Sequence, residues 1–377
     1  MSIYFDNAAT SHPKPRAVLD AVARALTEFN ANPGRSGHPA ALAAARVVLG
    51  TREKLAQLMN APDPMRVIHC FNCTDALNLA IRGSLRAGDH VVATALEHNS
   101  VLRVLATLAG RGRIAFTLVK PRPDGFIDPE DIRAAVTPRT ALIVCTHASN
   151  VTGAIQPVAA VGQLARSLGI RYLIDGAQAL GAMPVDVTAL GCDLYAFPGH
   201  KSLLGPQGTG GLWIGEGIDL FTQREGGTGS SSDSLLQPAE LPERYESGTV
   251  NLPGIAGLGA GCDHVRASLS QIMMRERELT QALYEGLAAI DGVELYSPAK
   301  EAGRAGIVSF NAFGLSSAQA ADALAQRGFA VRGGLHCAPE AHRFLGTLRR
   351  GAVRASLGHA NTFDEVDRFL AAVRALG

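Results

Sequence analysis

Leu173-Ile174-Asp175-Gly176-Ala177-Gln178 and Ala196-Phe197-Pro198-Gly199-His200-Lys201, whose lysine stands 26 residues beyond Asp175, settle the architecture of the chain. Each is a short apolar run that delivers a polar or charged side chain and breaks at glycine. Runs of this length between turn residues read as buried strands. Such runs recur at 90–95, 114–119, 141–147, 172–175, 193–197 and 210–214. Helical patterns at 100–109, 129–136 and 158–168 separate the earlier ones. This alternation predicts βαβ crossovers and a mostly parallel sheet with helices on both faces. Ligands of such sheets sit beyond the carboxyl ends of the strands. His98, Asn150, Asp175 and the His200-Lys201 pair each follow a predicted strand, so all are expected at that edge.

An amphipathic helix is predicted ahead of this core at 42–59, and a Gly/Ser-rich loop at 226–240 reads as mobile unless a partner covers it. After Pro253 the pattern changes. A long helix over about 256–290 leads to strands at 293–296, 306–311 and 352–357 and to helices at 317–328 and 362–375. Thr362 is the expected N-cap of the last helix, with Glu365 completing a capping box. The reading is an α/β chain: a large domain over 15–255, a smaller α+β domain over 256–377 and an N-terminal joining segment, 1–14.

The 377 residues carry 35 basic and 34 acidic side chains, for a net charge of +1. Neither a nucleic acid nor an anionic membrane is an expected partner. Met1-Ser2-Ile3-Tyr4-Phe5-Asp6-Asn7 lacks a basic region followed by an apolar one, so no secretory signal is read there. No apolar run reaches the roughly 18 residues of a membrane span. Six scattered cysteines are no disulfide framework, and a reducing cytoplasm is the expected location. Cys70-Phe71-Asn72-Cys73 is a lone CxxC without a second pair, and no HExxH or carboxylate cluster is present, so no catalytic metal is expected. Gly199-His200-Lys201-Ser202 has the end of a P-loop without its upstream glycine.

The chemistry lies in two places. Only five lysines stand against thirty arginines, yet one of them, Lys201, is set in an apolar, glycine-flanked loop downstream of Asp175. Pyridoxal phosphate (PLP) needs such a pair: a lysine amine to bond its aldehyde, and a carboxylate to keep its ring nitrogen protonated. The second place is Arg332-Gly333-Gly334-Leu335-His336-Cys337-Ala338-Pro339. Glycines and a proline predict an exposed loop, and cationic neighbours favour the reactive thiolate form of a cysteine.

These motifs, together with Tyr4-Phe5-Asp6-Asn7-Ala8-Ala9-Thr10, Cys73-Thr74-Asp75-Ala76-Leu77-Asn78, Glu97-His98-Asn99-Ser100, Ser149-Asn150-Val151-Thr152-Gly153 and Glu246-Ser247-Gly248-Thr249, run the length of the chain. In that order they resemble the class V aminotransferases of fold-type I, and within them the group II cysteine desulfurases and selenocysteine lyases. The resemblance implies a seven-stranded, mostly parallel sheet in the large domain. It implies that His98 stacks on the cofactor ring, Asp175 pairs with its nitrogen and Gln178 bonds its phenolic oxygen. Thr74, Asp75 and His200 join Lys201 in the cofactor set, and Thr249 reaches the phosphate of the other subunit in a homodimer. Arg354 takes the substrate carboxylate with help from Asn150 and Arg332, while Arg35 and His38 border the neighbouring site. The implied reaction takes sulfur from L-cysteine onto Cys337, leaving alanine, for delivery to an acceptor in iron–sulfur assembly, thiolation or a dedicated pathway. Selenocysteine lyase, another C–S lyase or a transaminase on the same scaffold stays open, as does a non-catalytic sulfur relay. Two positions depart from the pattern: Pro198 replaces a hydroxyl residue, and Leu335 stands where many relatives have a second histidine.

Overall fold

The computed structural model describes every residue except Met1, Arg35, Ser231, Lys300, Glu301 and Ala302. The chain opens with β1 (Ile3–Tyr4), α1 (Arg16–Thr27), α2 (Pro39–Leu58), β2 (Val67–Cys70) and α3 (Cys73–Ser84). It continues through β3 (His90–Thr94), α4 (Asn99–Gly110), β4 (Ala115–Val119), α5 (Pro129–Ala135), β5 (Thr140–Thr146), α6 (Val158–Leu168) and β6 (Arg171–Asp175). Then come α7 (Val187–Leu190), β7 (Leu194–Pro198), β8 (Gly210–Ile214) and α8 (Leu252–Ala288). The remainder is β9 (Val293–Leu295), β10 (Ile307–Ala312), α9 (Ser317–Gln326), β11 (Phe329–Ala330), β12 (Arg332–Gly334), α10 (Pro339–Phe344), β13 (Ala352–Ser356) and α11 (Phe363–Arg374).

Seven strands form one sheet in the order β2-β8-β7-β6-β5-β3-β4, in which β8 runs antiparallel to both of its neighbours. The other neighbouring pairs are parallel. Alternate residues of each central strand enter opposite cores: Val92, Ile143, Ile174 and Phe197 on one face, Ala93, Val144, Leu173 and Ala196 on the other. That is why these strands read as continuous apolar runs rather than alternating ones. β4 departs from the expectation of a buried strand, because it closes the sheet edge and leaves Ala115 and Thr117 exposed.

Four strands in the order β12-β13-β10-β9 make a second, antiparallel sheet. Its core gathers Phe310, Phe329 and Phe369 with Leu279, Leu283 and Leu287 of α8. Phe5 packs its ring 5.2 Å from that of Phe369. β1 pairs in parallel with β11, so the first residues of the chain build onto this second core. α8 starts earlier than the expected 256 because Pro253 fits the first helical turn, and the Asn251 side chain accepts from the Gly254 N–H at 3.1 Å. Its 37 residues extend about 55 Å. The capping box at Thr362 and Glu365 forms as expected.

Candidate active site

The carboxyl ends of the parallel strands open onto a cavity of about 200 Å³ lined by, among others, Thr74, His98, Asp175, Gln178, Lys201 and Arg354. Asp175, the last residue of β6, is 3% exposed. Its Oδ1 accepts from the Ala177 N–H at 3.0 Å and from the Cys73 thiol at 3.6 Å. Burial raises its carboxyl above the usual range against the pull of the Ala177 amide and Lys201. Burial likewise lowers the Lys201 amine, opposed by the attraction of Asp175. Burial thus pushes both groups towards neutrality, and a cationic ring nitrogen beside Asp175 would hold that carboxylate ionised.

His98 caps α4: its Nδ1 accepts from the Ser100 N–H at 3.1 Å and lies 2.8 Å from the Ser100 hydroxyl. Ser100 is in turn 2.7 Å from the Thr74 hydroxyl. Burial and the nearby Lys201 charge push the His98 imidazole down to about 4, so it is a neutral ring at physiological pH. Thr74 sits in the first turn of α3, where free N–H groups and the helix dipole favour an anion. Asp75 does not join it at the cavity. Its carboxylate turns back to the Phe71 N–H at 3.1 Å and to Arg224 at 3.8 Å.

The His200 ring lines the same cavity with its Nδ1 buried and without a protein partner. Burial lowers this imidazole to about 4, leaving it neutral at physiological pH. Gln178 donates from Nε2 to the Ala8 carbonyl at 3.1 Å. Together these groups fit PLP: a lysine amine, a buried carboxylate for the ring nitrogen, a flat neutral imidazole, and an orphaned histidine nitrogen beside a helix N-terminus for the phosphate.

Arg354, on β13, is the largest fully buried side chain described. It donates to Asp6 at 2.7 Å and to the Asn150 carbonyl at 3.0 Å, while its Nε is buried without a partner. Asn150 donates its amide to the His336 carbonyl at 2.7 Å. Arg332 lines the cavity and places its guanidinium 3.8 Å from the Cys337 sulfur. The cysteine loop therefore meets the strand ends through Asn150, Arg332 and Arg354.

Besides Asp75, two expected residues stand apart from this cavity. His38 is an exposed helix cap whose Nδ1 accepts from the Ala41 N–H at 3.2 Å. Thr249 borders a separate depression with Arg224, Glu246 and Gly208. Its segment is fixed by Glu246, which pairs with Arg52 at 2.8 and 2.9 Å and accepts from the His69 N–H. Arg35 lies outside the described residues.

Two residues of the site carried no expected role. Cys73 was read as part of a lone CxxC and as the first residue of a motif in which the role fell to Thr74, yet its thiol donates to Asp175 inside the cavity. The available signal was its place one residue before Thr74. Glu97, fully buried beside His98, accepts on Oε1 from the Thr94 hydroxyl at 2.6 Å and the Thr146 N–H at 2.8 Å. Burial raises its carboxyl to about 8, so the folded protein holds it neutral at pH 7. The stability from this protonated form is complete below pH 4.5 and is lost as pH climbs through 8. Glu97→Gln keeps both accepted bonds and removes the titration. Its melting temperature should match the parent at pH 5 and exceed it at pH 8, by up to roughly 4 kcal/mol of stability. An equal shift at both pH values would contradict a neutral Glu97.

The aminotransferase class-V sequence pattern matches residues 3–369, and the chain belongs to that family. Relatives within the family include proteins named as cysteine desulfurases. A probable cysteine desulfurase of Methanothermobacter thermautotrophicus is 36% identical, with 97% of this chain and 92% of that protein covered. The structure of the apo cysteine desulfurase from Thermococcus onnurineus superposes with a TM-score of 0.93 at 32% identity, covering 100% of this chain and 94% of that one. The cysteine desulfurase CsdA from Escherichia coli gives 0.89 at 28% identity, with the same shares covered. The architecture is the fold-type I arrangement expected from the motifs. Among the described residues, no helix is long and apolar enough to cross a membrane, and no group of three or more His, Cys, Asp or Glu is placed to hold a metal ion.

Proposed function

We propose that this chain is a PLP-dependent L-cysteine desulfurase, which releases L-alanine and holds the sulfur as a persulfide on Cys337 until an acceptor takes it. The observation that carries the reading is the Cys337 thiol beside Arg332, whose side chain lines the same cavity as Lys201 and Asp175. Bound there, PLP supplies an electron sink for the substrate Cα. The orphaned Nε of Arg354 is free to take the substrate carboxylate, a planar partner for a guanidinium. The Lys201 amine, lowered by burial, is suited to accept the Cα proton. Cys337 then takes the sulfur. The substrate C–S bond breaks, an S–S bond forms, and L-cysteine plus thiol becomes L-alanine plus persulfide without any external oxidant.

The reading includes a homodimer. Thr249 lies outside the cavity of its own chain, on a segment anchored by a buried ion pair, and is suited to the phosphate of a neighbour. Leu235 and Leu236 of the Gly/Ser-rich loop are almost wholly exposed, which an interface would remedy. Light scattering should give twice the chain mass, and a monomer would remove this part of the reading. The cytoplasm and an iron–sulfur or thiolation acceptor complete the proposal, the acceptor to be identified by transfer assays with labelled persulfide.

Incubation with L-cysteine should yield alanine and persulfide in equal amounts on the first turnover, faster than selenide release from L-selenocysteine. A yellow, PLP-loaded protein that yields neither product would keep the cofactor and move the function to another amino acid.

A further inference from the structure

Between β12 and α10, Leu335-His336-Cys337-Ala338 closes a turn in which the Ala338 N–H donates to the Leu335 carbonyl at 2.9 Å. Both central residues are left-handed, with φ of +49° at His336 and +58° at Cys337. Two successive non-glycine residues in this region are uncommon and persist only where the surroundings over-determine them. The large sheet side holds the two backbone carbonyls. Asn150 donates to that of His336 and the Asn99 N–H to that of Cys337, each at 2.7 Å.

The His336 side chain is held from the other side by a buried chain of groups that only one set of protons satisfies. Its Nε2 lies 3.2 Å from the Arg332 carbonyl oxygen, which can only accept, so Nε2 carries the proton. Nδ1 of the neutral ring is then an acceptor, and His342 Nε2, 3.3 Å away, must donate to it. His342 Nδ1 is left to accept from the Thr347 hydroxyl at 2.8 Å. Each assignment forces the next, giving a one-way relay from Thr347 through His342 and His336 to Arg332. All three relay side chains are at most 2% exposed. Burial drives the imidazoles to about 3 and about 4, so both are neutral and the relay is intact at physiological pH. The carbonyl that ends the relay belongs to the arginine whose guanidinium stands 3.8 Å from Cys337.

We propose that the Thr347–His342–His336 relay is a positioning device for Cys337: it locks the turn in its left-handed form and keeps the thiol against Arg332, whose side chain lines the cavity. The proposal rests on the desulfurase reading, in which Cys337 receives the sulfur. His342 and Thr347 do not line the cavity, so they act through the turn rather than on substrate.

The test uses the PLP-loaded protein and three substitutions, His342→Leu, His342→Gln and Thr347→Val. Glutamine can donate to His336 and accept from Thr347, as the native histidine does, whereas leucine can do neither. The leucine variant should keep the parent's visible absorbance and PLP affinity while persulfide forms on Cys337 roughly tenfold more slowly. Glutamine should restore that rate to within about threefold, and Thr347→Val should lie between the two. Persulfide formation at the parental rate in His342→Leu, or equal impairment by leucine and glutamine, overturns the relay. Should the leucine variant fail to fold, the near-isosteric Thr347→Val decides: slower persulfide formation at unchanged absorbance supports the relay, and a parental rate overturns it. Alkylation of Cys337 by iodoacetamide needs no turnover, so it separates the two claims. A parent that forms no persulfide sinks the desulfurase reading, whereas the relay still requires leucine to change the alkylation rate and glutamine to restore it.

Discussion

Lys201→Ala will purify colourless, stay colourless when PLP is added, and release alanine from L-cysteine on the order of 10⁴-fold more slowly than the parent. Among the described residues, no second lysine lines the cavity. Lys14 is close by in the fold, but its Nζ donates to the Ser11 hydroxyl and the His200 carbonyl, both at 2.7 Å. In the proposed reading Lys201 supplies two functions at once, the covalent anchor and the Cα base, so its loss should not be partitioned between binding and rate. Folding should survive, because the substitution removes a charge that burial already opposes. Borohydride treatment followed by peptide mapping reads the outcome. A coloured Lys201→Ala protein that is reduced onto another lysine would place the anchor elsewhere.

Cys337→Ser will show the opposite pattern: full visible absorbance on loading with PLP and no protein persulfide with L-cysteine. A hydroxyl keeps the volume and the turn but cannot accept sulfur from the substrate, so alanine release should fall by at least about 10²-fold. The pair of substitutions separates the two halves of the proposed site, the strand ends assigned to PLP and the turn assigned to sulfur. Undiminished alanine and persulfide in Cys337→Ser would end the nucleophile assignment. Mass spectrometry of the intact protein after one turnover makes the measurement.

The central strands were legible because a strand buried on both faces has no polar residue to hide it, and β5, β6, β7 and β8 fall close to their expected limits. β2 escaped notice: four residues that include His69 do not make a recognisable apolar run, and the strand is defined by antiparallel pairing with β8. α1 was missed because its apolar stripe is narrow, with only Val18 and Ala25 buried. At the site, residues that end strands were readable from position alone. Cys73, Glu97 and His342 were not, since each depends on a neighbour far away in the sequence or on burial that no local pattern reports. Asp75 shows the converse error, a residue inside a motif whose side chain serves the loop beside it. Thr249 and His38 were assigned to a neighbouring subunit, and the single chain places neither at its own cavity.

The ion pair between Asp6 and Arg354 spans 348 positions of sequence. Beside it, Ser11 and Lys14 hold the carbonyls that present Lys201, and Asn7 donates to the Ser356 carbonyl. A ribosome delivers the first of these residues long before the last, and contacts so distant in sequence close late in folding. Most of the large sheet can assemble on the emerging polypeptide while its pocket still lacks a wall. The pocket is completed only when the C-terminal strands arrive to meet the N-terminus. On the proposed reading, cofactor capture therefore waits for Arg354 and its strand, and polypeptides that stop short of them are left without a finished pocket in which reactive sulfur could be made.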